Sequence, residues 1–294
     1  MWPFLALVLL QVPAAPRLEI RGSQIWLLGE GGAVQLTYDH CAKSLPVLSP
    51  SSTRIAFAGC PSQVPVIDLS GRTITTLLPG SASALNGACP SILDIAWAGE
   101  SAVAVTCHIN PSLNAYVELD VNSGRIRREL LGYSFTRSPD GLHIAHAGWY
   151  PHFSPPWSKS DYLQVDHLVL YPLPAGARPV ERKALDPAPV QPRAQGRTWT
   201  GIHEFNSGFY WSPDSRRIAF IDCTYSWTLA GADDAAGAEH GRRCSVAAVD
   251  LAGRASLLAL PELAPEAIGQ IRLDWRGPGE LAIGGPAPRT LRIP

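Results

Sequence analysis

One short pattern returns five times along this chain and constrains its fold more than any other feature. The clearest copies are Leu48-Ser-Pro-Ser-Ser-Thr-Arg-Ile-Ala-Phe, Arg137-Ser-Pro-Asp-Gly-Leu-His-Ile-Ala-His and Trp211-Ser-Pro-Asp-Ser-Arg-Arg-Ile-Ala-Phe. Degenerate copies begin at Trp97 and Trp275. Pro presets φ for a tight turn, and Asp-Gly or a substitute completes it. The residues before the turn therefore run as strand A, and Ile-Ala-Phe returns beside it as a buried antiparallel strand B. A second unit follows: a strand, an Asp, a small-residue turn closing on Gly-Arg, and another strand. It spans Val64–Leu78, Ala115–Leu130 and Ser245–Leu258, with a poorer copy starting at Leu168. These are strands C and D. A four-stranded sheet cannot bury both faces alone, and stacking such sheets radially solves that.

Composition agrees with many short strands. The chain has 294 residues, 46% hydrophobic and only 17% charged, with a net charge of −1. A nucleic-acid surface needs a clustered basic excess, which this balance does not supply. There are 26 Gly and 27 Pro against a single Met, a mixture suited to turns and poor for long helices. At the N-terminus the apolar run Phe4–Leu10 precedes Val12-Pro13-Ala14. Small residues at those offsets read as a secretory signal covering residues 1–14, cleaved near Ala14, although no Lys or Arg precedes the run. The run is far below the ~20 residues that span a bilayer, so no membrane span is expected.

The Trp-Ser-Pro-Asp-Gly hairpins resemble the TolB-like, WD-like β-propeller repeats of bacterial exported proteins. The resemblance covers nearly the whole chain after residue 18. It implies an all-β fold: a single β-propeller domain over residues 18–294, of five four-stranded blades, with six as the alternative. The A–B hairpins fall near residues 41–60, 89–107, 132–149, 203–223 and 268–284. The last has no clear C–D partner, whereas Ser23–Leu28 and Gly32–Thr37 form a spare pair. The expectation is that the N-terminal strands complete the C-terminal blade and close the ring, which removes free edges. No oligomer is implied. Similar repeats form the propeller half of prolyl-oligopeptidase-type enzymes, but no G-x-S-x-G nucleophile elbow is present.

The cysteines fit the repeat. Cys41 and Cys89 precede an A strand; Cys60, Cys107 and Cys223 end a B strand; Cys244 precedes a C strand. In an antiparallel hairpin the start of A lies beside the end of B. That register selects Cys41–Cys60, Cys89–Cys107 and Cys223–Cys244, and disulfides suit an exported, periplasmic or secreted protein. Zinc binding would require tight Cys or His spacing, and no C-x₂-C occurs.

Long insertions cluster on the face of the B–C and D–A loops: residues 150–164, 177–202 and 224–243. Loops on one face of a rigid scaffold are where binding resides. The expected contact residues for a protein, peptide or other ligand are Tyr150, His152, Phe153, Trp157, Lys159, Tyr162 and Trp227, because exposed aromatics on Pro-stiffened loops suit capture. The acidic, small-residue segment 224–243, with Asp233, Asp234, Glu239 and His240, reads as disordered. No catalytic motif is found: there is no P-loop, no G-x-G-x-x-G after a strand and no H-E-x-x-H. No cofactor or metal is expected, and the chain reads as a binding module rather than an enzyme. The alternative is a metal-dependent propeller hydrolase or lyase acting on a saccharide or small molecule, drawing on His108, His152, His203 and His240. His143 and His146, three apart on one strand, should point to opposite faces.

Overall fold

A computed structural model describes residues 16–82, 85, 87, 89–110, 113–151, 164–173, 182–183, 198–229, 237–259, 265–286 and 288–293. The expected signal segment, residues 1–14, lies outside them. Over the described residues the fold is all-β, apart from a 3₁₀ turn at Pro79–Ser81 and one helical turn at Pro265–Ile268. The chain divides into two compact units, Met1–Leu130 and Leu131–Pro294.

The first unit starts with a three-stranded sheet, β1 (Arg17–Arg21), β2 (Gln24–Gly29) and β3 (Gly32–Gln35). A four-stranded meander follows, β4 (Ser44–Leu48), β5 (Arg54–Ala58), β6 (Val64–Asp68) and β7 (Thr73–Leu77). Next come β8 (Ile92–Trp97), β9 (Ala102–Asn110), β10 (Leu113–Asp120) and β11 (Ile126–Arg137). The unit boundary falls within β11, whose Tyr133, Thr136 and Arg137 pair with Ala147, Ala145 and Ile144 of β12 (His143–Pro151). The second unit continues with β13 (Gln164–Pro172) and β14 (Arg182–Lys183). Its next sheet holds β15 (Thr198–Phe205), β16 (Tyr210–Trp211), β17 (Arg217–Leu229), β18 (Gly237–Asp250) and β19 (Ala255–Ala259). The last is a three-stranded sheet, β20 (Arg272–Gly277), β21 (Glu280–Gly284) and β22 (Arg289–Arg292). Each expected A–B and C–D hairpin is thus an antiparallel pair in chain order.

The N-terminal strands differ from expectation. They form a sheet of their own, and among the described residues β20–β22 gains no fourth strand from them. The reason is local. Gly22 and Ser23, at φ 55° and 65°, make a two-residue turn with both residues left-handed, the hairpin geometry that matches strand twist. That turn delivers β1 to one side of β2, while β3 takes the other. Both ladders of β2 are filled within the first 35 residues of the chain.

The repeat's B strands show why Ile-Ala-Phe lacks simple alternation: each is buried on both faces. In β5, Ile55 and Phe57 pack with β1, β2 and Leu36, while Ala56 and Ala58 enter the core shared with β8–β10. In β17, Ile218 and Phe220 enter one core, and Ala219, Ile221 and Cys223 the other. Phe220 is fully buried and meets the rings of Phe205 and Phe209 edge-on. Truncating such a ring costs about 3–5 kcal/mol.

The repeat's polar residues close its turns. Ser138 and Ser212 are buried; each donates its hydroxyl to the Asp two residues on, at 2.6 Å, and accepts the amide N–H five residues on, at 3.0 Å. Ser52, Gly141 and Ser215 hold the left-handed turn position, at φ 55°, 70° and 61°. The Gly-Arg turns work similarly. Asp250 accepts the amides of Ala252 and Arg254 at 2.9 Å each, with Gly253 left-handed between them.

The repeat's tryptophans tie neighbouring sheets within a unit. Trp97 Nε1 donates to the Val47 carbonyl at 3.1 Å, Trp211 Nε1 to Thr136 at 3.3 Å, and Trp275 Nε1 to Tyr210 at 2.9 Å. Each bond runs from one A strand to the preceding A strand. The turns add parallel ties: Asp140 N–H to Ser215 Oγ at 2.9 Å, Ser51 Oγ to Glu100 at 2.9 Å, and Arg217 to the Pro278 carbonyl at 2.7 Å.

The disulfides join Cys41–Cys60, Cys89–Cys107 and Cys223–Cys244, the pairs the repeat register selects, with Cα–Cα distances of 5.3, 5.5 and 4.0 Å. Non-reducing peptide mapping of the oxidised protein is expected to recover these three linked pairs and no bridge between repeats. Trp211→Phe keeps one aromatic ring but removes the five-membered ring and its donor to the Thr136 carbonyl. Urea unfolding should show a loss of about 1–2 kcal/mol, an ordinary hydrogen bond with a part-buried partner; no change would mean that the tie carries no stability.

Candidate functional site

Two of the expected insertions are carried by long hairpins of the second unit. β12 and β13 stay paired through Trp149–Asp166, Tyr150–Val165 and Pro151–Gln164. Tyr150, Pro151 and Gln164, expected in a loop, are therefore ladder residues. His152, Phe153, Trp157, Lys159 and Tyr162 lie outside the described residues, as does most of 177–202, although Thr198–Ile202 belongs to β15.

The segment 224–243 is not disordered over its described part. β17 and β18 run past the Cys223–Cys244 pair as a ribbon, with Thr224 opposite Arg243, Ser226 opposite His240, Trp227 opposite Glu239 and Leu229 opposite Gly237. β15 lies along the other side of β17, placing Thr198 opposite Thr228 and His203 opposite Thr224. The reason is in Thr224-Tyr-Ser-Trp-Thr-Leu229, whose β-branched and aromatic residues favour a pleated surface. The disulfide holds the two strands together where the ribbon begins. Gly241, at φ 65°, sits at a register step in the ladder, as expected of a bulge. Asp233 and Asp234 lie outside the described residues; His240 is exposed.

An arginine clamps the ribbon. Arg242 on β18 reaches across β17 to Glu204 on β15 at 2.6 Å, and binds both Glu239 oxygens at 2.6 Å. Its guanidinium lies 4.7 Å from the Tyr225 ring centroid. Glu239, then Glu204, hold the Arg242 pKa above its ordinary value, and Arg242 holds that of Glu239 below its own. Three strands are joined through one planar group whose fork suits bidentate carboxylates. Trp227, opposite Glu239 in the ladder, is part-buried, and among the described residues its Nε1, closed off from solvent, has no hydrogen-bond partner.

On β15, His203 Nδ1 meets both oxygens of Asp222 at 2.8 and 3.0 Å, and the Asp222 side chain is 5% exposed. The carboxylate makes Nδ1 the donor and fixes the ring's orientation, as carboxylates do behind metal-ligating imidazoles. His108, in the first unit, contacts Asn114 at 3.2 Å. His240 stands opposite Ser226 on β18, and His152 is outside the described residues. Among the described residues, Asp39, Cys41 and Cys60 form the one group of three metal-ligand types within reach of one ion, and both thiols are spent in a disulfide. His143 lies beside Trp211 and His146 against Phe135, consistent with opposite faces.

Arg242, Glu204, Tyr225 and Asp222 were not singled out from the sequence. Only the pairing of β15 with β17, set by tertiary structure, brings Glu204 to Arg242 and His203 to Asp222. No protein-family model matches the chain, and no curated protein matches it. Solved structures similar to it include the β-propeller domain of the Trilobed protease from Pyrococcus furiosus, with an open velcro topology: 11% identity, 96% of this chain and 85% of that one, TM-score 0.44. Kuenenia stuttgartiensis hydrazine synthase matches at 11% identity over 81% of this chain and 77% of that one, TM-score 0.41. TolB from Acinetobacter baumannii matches at 12% identity over 92% of this chain, which spans 60% of that one, TM-score 0.36.

Arg242→Ala is expected to loosen the ribbon without unfolding the sheet. Hydrogen exchange should quicken at Thr224–Trp227 and stay unchanged at Ile218–Ile221. The stability loss should not exceed about 1–2 kcal/mol, because the partners are part-exposed and solvent screens them.

Proposed function

We propose that this chain is an exported, disulfide-stapled propeller-type scaffold that binds a protein or peptide. Its contacts are Tyr150, His152, Phe153, Trp157, Lys159, Tyr162 and Trp227, carried by the ribbon and the β12–β13 hairpin. The observation that carries this reading is the ribbon itself. It extends past Cys223–Cys244, held by a third strand and by the Arg242 clamp. A stiff arm supporting an aromatic side chain pays little ordering entropy on binding. Three disulfides suit an oxidising compartment, and among the described residues no helix is long and apolar enough to cross a membrane.

The second reading is a metal-dependent hydrolase or lyase, and the His203–Asp222 pair favours it. One experiment separates the two. Purified protein, a variant with residues 152–163 replaced by a short Gly-Ser link, and Trp227→Ala are immobilised and exposed to a periplasmic extract, with metal content measured alongside. The scaffold reading expects one protein retained by the parent, lost by both variants, with circular dichroism unchanged and no stoichiometric metal. One equivalent of metal, lost in His203→Ala, would give the enzyme reading instead.

A further inference from the structure

The three disulfides differ in their surroundings. Cys89, Cys107 and Cys223 are fully buried, and the bridges they belong to sit in hydrophobic cores. Cys41 and Cys60 are both part-exposed. Their bridge ties the loop before β4 to the residues just after β5. It also has charged neighbours. A carboxylate oxygen of Asp39 and the two sulfurs all lie within 4.8 Å of one another. Behind the carboxylate stands Lys43, whose side chain is 1% exposed, while that of Asp39 is 55% exposed. The Lys43 ammonium donates to Asp39 Oδ1 and to the Cys41 carbonyl.

Other contacts hold this loop besides the bridge. Asp39 Oδ1 also accepts the Cys41 amide at 2.9 Å, the Asp39 carbonyl accepts Gln24 Nε2 at 2.7 Å, and the Lys43 amide donates to the Ser23 carbonyl at 3.0 Å. β4 and β5 pair through Ser44–Ala58, Val47–Ala56 and Leu48–Ile55. Two donors thus occupy Oδ1, and among the described residues no hydrogen bond reaches Oδ2. Opening the bridge would set two sulfurs beside a buried ammonium, a setting that favours thiolates. Two thiolates, one carboxylate, one ammonium and one divalent cation together carry no net charge. Thiolate and carboxylate ligands in combination select zinc. Zn–S bonds of about 2.3 Å set tetrahedral sulfurs roughly 3.8 Å apart. Cysteines whose Cα atoms are 5.3 Å apart reach that spacing by side-chain rotation.

We propose that Cys41, Cys60 and Asp39 form a zinc site that exists only when their bridge is reduced, with Lys43 orienting the carboxylate. A dithiol supplies the electrons. One of its thiolates attacks a sulfur of the bridge and forms a mixed disulfide, releasing the other cysteine. Its second thiolate then displaces the first cysteine, and the reductant leaves as a disulfide. Two electrons pass to Cys41 and Cys60. Zinc binds both Sγ atoms and Asp39 Oδ2, the thiols give up two protons, and the fourth position is open to water. No residue of the binding reading takes part, so either can fail without the other.

Titrating the oxidised full-length protein with dithiothreitol, followed by alkylation and peptide mapping, tests the first half. Cys41 and Cys60 should be alkylated while the other two bridges persist and circular dichroism is unchanged. That partly reduced protein should take up one equivalent of zinc in competition with a chromogenic chelator, and the oxidised protein none. Cobalt in place of zinc should show a thiolate-to-metal charge-transfer band. Asp39→Asn should weaken zinc binding at least about 10-fold; Lys43→Met should weaken it by about 10-fold and leave the cobalt band in place. Should either variant fail to fold, X-ray absorption of the parent's zinc form decides: two sulfur neighbours with lighter atoms support the site, and any other sulfur count overturns it. Earlier opening of a different bridge, zinc uptake by the oxidised protein, unchanged affinity in Asp39→Asn, or uptake that His203→Ala removes would each overturn it.

Discussion

The architecture depends on the indole hydrogen bond between successive A strands. An A strand has its own B strand on one side, and its main chain alone cannot fix the distance to the next sheet. Trp97, Trp211 and Trp275 each bridge that gap with one donor on a rigid two-ring body. The part-buried ring packs between sheets and its N–H finds a carbonyl of the preceding A strand. The Ser-Pro turns follow from the same arrangement. Their serines satisfy the turn internally, while Glu100 and Arg217 reach the neighbouring turns at Ser51 and Pro278. Where Leu48 or Arg137 replaces Trp, no indole donor is available, so the repeat's positions are not equivalent.

Sheets fixed at this spacing must bury both faces of their middle strands, and that shapes what the repeat can contain. On β5 and β12 alanines occupy one face while larger groups occupy the other: Ile55 and Phe57, or Ile144 and His146. Small residues admit close approach, and large ones fill what remains, at the density of a protein interior. His146 stands where the first copy has Phe57 and the third has Phe220. A core position has accepted an imidazole in place of a phenyl ring, with Gly132 making room for it. The substitution keeps a planar ring and adds a titratable group whose charged form burial disfavours.

Much of this was legible in the sequence because it is local. Turn chemistry, the Ile-Ala-Phe register and cysteines at strand ends are properties of single hairpins, and they placed the B strands and the disulfides. The misses lie where partners are distant or where a local choice outweighs a global one. The turn at Gly22-Ser23 was not read, so β1 was missed and β2 was assigned to a distant sheet. Segment 224–243 was read from its Ala, Gly and Asp content, although Thr224–Leu229 carries the signature of a strand. Glu204, Tyr225 and Arg242 come from three strands, and nothing in their spacing announces that they meet.

On the binding reading proposed above, the clamp limits how a partner is recognised. Arg242 is already matched by two carboxylates, and the chain as a whole carries a net charge of −1. Steering by a strong field, which accelerates association of oppositely charged partners, therefore has little to act on. Specificity must come from shape, aromatic contact and main-chain hydrogen bonds. Recognition of that kind needs a rigid frame, because each freely rotating side chain ordered on binding costs about 0.5–1.5 kcal/mol. The disulfide at the ribbon's root, the third strand along its flank and the guanidinium across its face lower that cost before a ligand arrives. The clamp's charges act on the ribbon itself rather than on what it meets.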